Sequence, residues 1–171
     1  MKKIFLLLAV VAGTILTSCE GPQGPQGPTG YSVESENFEI RDVDFFGDAN
    51  GYYGILYELN PEILNSDMVL VYRLAGVTND GLDIWETIPE TIYFPNGEEL
   101  DYDFDFTRRD ISIYLGYTSE SVLTPAYTQN QVFRVVIIPG YLSNKVGATD
   151  YDSVTRALKI SDADFTQLTK N

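Results

Sequence analysis

From Tyr31 onward, apolar and polar residues alternate in short runs broken by Gly, Asn, Asp and Pro, and no sustained 3.6-residue period precedes the C-terminal region. That pattern predicts a β-rich body. Residues 33–46 read as a kinked first strand with Phe38, Ile40, Val43 and Phe45 as its apolar members, followed by the turn signal Asp48-Ala49-Asn50-Gly51. Residues 52–59 read as a second strand, ended by Asn60-Pro61 because proline cannot donate to a ladder. Residues 62–67 read as one helical turn. Residues 68–74 are apolar on both sides except for Tyr72 and Arg73, as an inner strand is. Residues 82–86 and 91–94 flank Ile88-Pro89-Glu90 and form either a short pair or one long strand bent at the proline.

Asn96-Gly97 is a hairpin signal. Residues 99–106 alternate strictly, with Leu100, Tyr102, Phe104 and Phe106 on one face and Glu99, Asp101, Asp103 and Asp105 on the other. Ile111, Ile113 and Leu115 supply the matching face of the next strand, over residues 111–117. After a less hydrophobic connection over 119–130, residues 132–138 form the most apolar run of the body, interrupted only by Arg134 and closed by Pro139-Gly140. The sheets are expected to end there. Residues 150–158 and 162–168 each open on a residue suited to N-capping and carry apolar side chains at helical spacing. The expected fold is all-β: an antiparallel β-sandwich, immunoglobulin-like or jelly-roll-like, with one or two short C-terminal helices.

Ahead of this body the pattern changes twice. Met1-Lys2-Lys3 and the apolar run 4–15 have the layout of an export leader, and the run is shorter than the ~20 residues of a membrane-spanning helix. Gly21-Pro22-Gln23, Gly24-Pro25-Gln26 and Gly27-Pro28-Thr29 are three collagen-type triplets. Proline at every third place favours an extended polyproline II spacer of roughly 30 Å. Trimerisation through the triplets is the alternative, although three triplets bury little. The chain therefore divides into a leader over 1–18, Cys19 with the tether over 19–30, and a β-domain with a helical tail over 31–171.

Composition removes most chemistry. With 25 acidic residues against 11 basic ones, the net charge is −14, and it becomes more negative once Lys2 and Lys3 leave with the leader. Such a surface repels phosphate backbones, so nucleic acid is excluded as a partner. The chain has no His and Cys19 is its only Cys, which removes Ser-His and Cys-His nucleophiles, imidazole zinc sites and any internal disulfide. The expectation is that the protein is not an enzyme. The oligomeric state is not legible.

Two groups of residues are candidate binding surfaces. Asp101, Asp103 and Asp105 line one strand face, and carboxylate oxygens are what calcium prefers; residues two apart on a strand are nearly 7 Å apart, so a solvated face balanced by Arg73, Arg108, Arg109 or Arg134 is the competing reading. Tyr52, Tyr53 and Trp85 lead a set of aromatics, with Tyr57, Tyr93, Tyr114, Tyr117 and Tyr127, that could stack on sugar rings or else fill the core.

Leu16-Thr17-Ser18-Cys19 resembles the lipobox of bacterial lipoproteins. The resemblance implies cleavage before Cys19, a diacylglyceryl group on its sulfur and acylation of the new amine; two or more chains give a lasting anchor where one gives marginal binding. With the triplets and the 133–140 run Phe-Arg-Val-Val-Ile-Ile-Pro-Gly, the chain is similar to small collagen-like lipoproteins of Bacteroidetes-type bacteria. That implies an outer-membrane anchor, at the cell surface rather than in the periplasm, and carries over no catalytic residue. The expected function is a non-enzymatic binding or assembly module, an accessory subunit of an outer-membrane protein complex. The alternatives are a glycan-binding surface protein and a calcium-stabilised adhesive domain.

Overall fold

Strict alternation on several strands requires two sheets that share one apolar layer, and that is the observed arrangement. The computed structural model describes residues 36–169. Nine strands follow in order: β1 (Asn37–Val43), β2 (Tyr53–Glu58), β3 (Met68–Val77), β4 (Asp83–Thr87), β5 (Glu90–Tyr93), β6 (Glu99–Phe106), β7 (Asp110–Tyr117), β8 (Gln131–Ile138) and β9 (Thr166–Thr169). They form a five-stranded sheet in the order β4-β3-β8-β1-β9 and a four-stranded sheet in the order β2-β7-β6-β5. Every neighbouring pair is antiparallel except β1 and β9, which run parallel.

The layer between the sheets takes Phe38, Ile40, Val71, Phe133 and Val135 from one side and Ile55, Leu100, Tyr102, Ile111 and Ile113 from the other. Burying each such side chain stabilises the fold by about 1.5–3 kcal/mol. Ile40 and Val43 both point inward although they are three apart. The register of β1 against β8 shifts between them, and Asp42 takes a left-handed backbone with φ of 55°. The extra residue is a bulge that returns Val43 to the core, which is the kink expected from the sequence.

The stretch around Pro89 is one chain path that changes sheet: β4 belongs to the five-stranded sheet and β5 to the four-stranded one. The two are not paired. Arg73 of β3 bridges the layers here, its Nε and Nη2 each donating at 2.9 Å to the Glu90 carboxylate of β5, with the guanidinium 4.5 Å above the Tyr102 ring. Asn96-Gly97 closes the β5–β6 hairpin, with Gly97 at φ 83°.

Two expectations are corrected. Residues 62–67 form no helix; the Asp67 carboxylate instead accepts from the Leu64 amide at 2.8 Å, turning the chain through a side chain. The stretch 162–168 is not a second C-terminal helix. It is a short 3-10 turn (Asp162–Asp164) followed by β9, so the five-stranded sheet gains its last strand after the helix. Pairing with β1 supplies hydrogen bonds that so short a helix would lack at both ends. The α-helices among the described residues are α1 (Pro125–Thr128) and α2 (Tyr151–Leu158), the latter capped by the Asp150 carboxylate, which accepts from the Ser153 amide.

Beneath α2 lies a second apolar cluster on the outer face of the five-stranded sheet, formed by Leu70, Tyr72, Val136, Ile138, Val154 and Phe165. At its centre Arg134 faces Glu39 directly across β8 and β1, with Nε 2.8 Å from Oε2 and both side chains almost fully buried. Nη1 donates to Asp162 at 2.6 Å and to the Tyr151 hydroxyl, while Arg41 approaches the other Glu39 oxygen at 2.5 Å. Trp85 and Phe165 cover the guanidinium at 4.1 and 4.4 Å. Burial opposes the charge on Arg134, but hydrogen bonds to Glu39 and Asp162 outweigh it and the net shift of its pKa is upward. The arginine that interrupts the most apolar strand thus holds the C-terminal elements onto the sheet.

Candidate functional site

The two sheets differ in what lies on their outer faces. α2 and the C-terminal segment roof the five-stranded sheet, and the outer face of the four-stranded sheet carries a row of tyrosines and carboxylates. Register fixes its layout: Gly54 of β2 opposes Tyr114 of β7, which opposes Asp103 of β6, and Leu56, Ser112 and Asp105 form the next row. Asp101 lies across from Gly116 and Thr91.

Tyr52 is 47% exposed and lies 6.2 Å from the Tyr114 ring, with its hydroxyl 3.2 Å from Ser112 Oγ. A Cβ on Gly54 would sit 2.5 Å from the Tyr52 ring, so that ring lies flat across the strand because residue 54 has no side chain. The Tyr114 phenol is raised above its ordinary pKa, by desolvation first and then by the charges of Asp103 and Asp105. It stays protonated and can donate. The face offers two aromatic surfaces, a phenol donor and a line of carboxylate acceptors, a set suited to recognition.

The arginines expected to balance the acids lie elsewhere. Arg73 pairs with Glu90, Arg134 with Glu39 and Asp162, and Arg108 and Arg109 both pair with Glu62. The β6 acids therefore face solvent without a cation of this chain among the described residues. No group of three or more carboxylates disposed to hold a metal ion, the β6 acids included, occurs among the described residues. The physical reason is the register, since Asp101, Asp103 and Asp105 are flanked on β7 by Gly116, Tyr114 and Ser112, none of which adds a carboxylate.

The aromatic candidates separate. Tyr53 points inward and meets the Tyr117 ring edge-on at 5.8 Å, Tyr57 stacks on Phe38 at 4.8 Å, and Tyr127 packs edge-on against Phe94. Adjacent residues on a strand face opposite ways, so Tyr53 cannot share a platform with Tyr52. Trp85 lies half-buried on the other sheet, stacked on Tyr151 at 5.7 Å and covering Arg134; it is neither part of the tyrosine face nor a plug between the sheets. Tyr93 is exposed on β5. Gly54 and Gly116 escaped the sequence reading, although glycine inside a strand is itself a signal of close approach. Cys19 and the triplet residues Gly21, Pro22, Gly24, Pro25, Gly27 and Pro28 lie outside the described residues.

No protein-family model, curated protein or solved structure matches the chain. No helix among the described residues is long and apolar enough to cross a membrane.

Proposed function

We propose that this protein is a lipid-anchored, non-enzymatic binding or assembly module of a bacterial outer membrane, displayed at the cell surface. Residues 1–18 are the leader, Cys19 carries the lipid, and residues 21–30 hold the sandwich off the bilayer. The observation that carries the binding role is the contrast between the sheets: one outer face is roofed, and the other presents Tyr52 and Tyr114 beside uncompensated acids. That face docks a subunit of an outer-membrane complex. A second reading, recognition of a surface glycan, is favoured by the ring pair flanked by carboxylates, the combination that stacks on pyranose faces and accepts from hydroxyls. The pairing of β1 with β8 and of β2 with β7, one pair in each sheet, supports a jelly-roll-like sandwich over an immunoglobulin-like one.

The test is a mild-detergent pull-down of the full-length lipoprotein and its Tyr52→Ala/Tyr114→Ala variant from the native membrane, with a glycan array in parallel. A partner that co-purifies with the parent and is lost with the variant supports docking. Array signal lost in the variant supports the glycan reading. Recovery of the lipoprotein alone, with a blank array, sinks both.

A further inference from the structure

A second site lies away from the tyrosine face, under the C-terminal segment. A cavity of about 420 Å³ opens between the start of β1, the residues after Gly140, and the link from α2 to β9. That volume is in the range of small-molecule sites. Asn37, nine-tenths buried, lines it, and its Oδ1 has no hydrogen-bond partner among the described residues. A buried amide oxygen left unpaired is costly, and the structure keeps one here rather than an apolar residue. A half-turn of the amide presents either its oxygen or its NH2 group to the cavity.

The remaining lining is split by chemistry. Leu142, Leu158 and Ile160 form an apolar wall, while Lys159 and Asp164 bring opposite charges to the same cavity. Asp164 accepts from the Ser161 amide and hydroxyl, which hold its carboxyl below the ordinary value and so ionised. Lys159 makes no ion pair with the described residues. It also occupies the left-handed residue that ends α2, with φ of 59°, where glycine is the usual and less strained choice. The chain places an ammonium group there against backbone preference.

We propose that this cavity binds a zwitterionic, aliphatic amino-acid-type molecule, either a free amino acid or a short peptide. Lys159 and the Asn37 NH2 group, or Lys159 alone, hold the carboxylate. Asp164 and Asn37 Oδ1 take the ammonium, and the side chain rests on Leu142, Leu158 and Ile160. Each charged group of the ligand then meets its opposite, and the orphaned acceptor gains a donor.

The test uses the full mature chain and equilibrium dialysis with L-leucine, leucinamide, N-acetylleucine and glucose. Leucine is expected to bind saturably, with each capped derivative weaker by about tenfold or more because one charge-assisted contact is lost. Lys159→Gly keeps the helix end, since glycine suits that backbone, and is expected to make leucine bind no better than leucinamide. Asn37→Leu is expected to retain the fold and abolish binding. Tyr52→Ala leaves leucine binding unchanged. The proposal is overturned by no binding at about 10 mM leucine, by equal affinity for leucine and its capped forms, by preferential glucose binding, or by an unaltered Lys159→Gly variant.

Discussion

Replacing Arg134 by methionine separates the two ion-pair arms of its network by magnitude. The Asp162 arm is short at 2.6 Å but its carboxylate is 84% exposed, so solvent screening limits it to about 0–1 kcal/mol. The Glu39 arm is the opposite case, with side chains 5% and 1% exposed. Removing one partner of such a pair leaves a buried charge and costs about 3–5 kcal/mol. Arg41, 2.5 Å from Glu39 and itself half-exposed, offsets part of that, so the lower end, about 3 kcal/mol, is expected for Arg134→Met. For a domain of this size that is a fall in Tm of roughly 10 °C, against roughly 3 °C or less for Asp162→Ala. Adding Glu39→Leu to Arg134→Met removes the stranded charge, so the double variant should recover stability relative to Arg134→Met alone. Urea titrations followed by circular dichroism measure the parent, the single variants Arg134→Met, Asp162→Ala and Glu39→Leu, and the double variant, and Trp85 fluorescence reports the site itself. Equal losses for Arg134→Met and Asp162→Ala, or strictly additive effects of Arg134→Met and Glu39→Leu, would refute the account of Arg134 as the buried pin of the C-terminal elements.

Three further outcomes follow from other parts of the fold. Burial pushes the phenols of Tyr72 and Tyr102 far above their usual range; Asp150 and Tyr151 add to the first, while Arg73 opposes and Glu90 adds to the second. Above pH ~10 the unfolded chain gives up phenol protons that the folded chain keeps, so stability falls as pH rises from there. Phenolate absorbance should show these two tyrosines titrating only with unfolding, and their ionisation in the folded state near pH 10 would contradict it. Gly97→Ala meets no atom within 4 Å, so its cost is the left-handed backbone alone, about 1 kcal/mol in thermal melts; an unchanged Tm would show that the turn relaxes. Cys19→Ser should release the protein from membrane fractions and abolish palmitate labelling, and retention of the variant in the membrane would remove the lipid anchor from the proposed function.

The strands were legible where one residue faces the core and the next faces water. β6 and β7 are the best cases, and even the β1 kink could be read, because Ile40 and Val43 are both apolar at a spacing that only an extra residue reconciles. β9 was illegible for a physical reason: Thr166–Thr169 is a strand only because β1, far away in sequence, supplies its ladder, while Phe165 and Leu168 happen to sit at helical spacing. Tyr52 was legible as a ring in a β-rich chain, but its separation from Trp85 depends on strand order, which no local pattern contains. The same holds for Arg73 and Arg134. A charge in an apolar run shows that a partner must exist, and only the paired strands show that the partners are Glu90 and Glu39 rather than the β6 acids.

The parallel pairing of β9 with β1 has a mechanical meaning. β1 is the first strand of the sandwich, so a load entering the chain from its N-terminal side reaches the domain there. Because β8 and β9 flank β1 on both sides, pulling along its axis strains two ladders of hydrogen bonds together in shear instead of opening one at a time as a peeled edge would. The last of the described strands thereby reinforces the first, and a domain fastened in this way resists being unravelled by a pull from its N-terminal side.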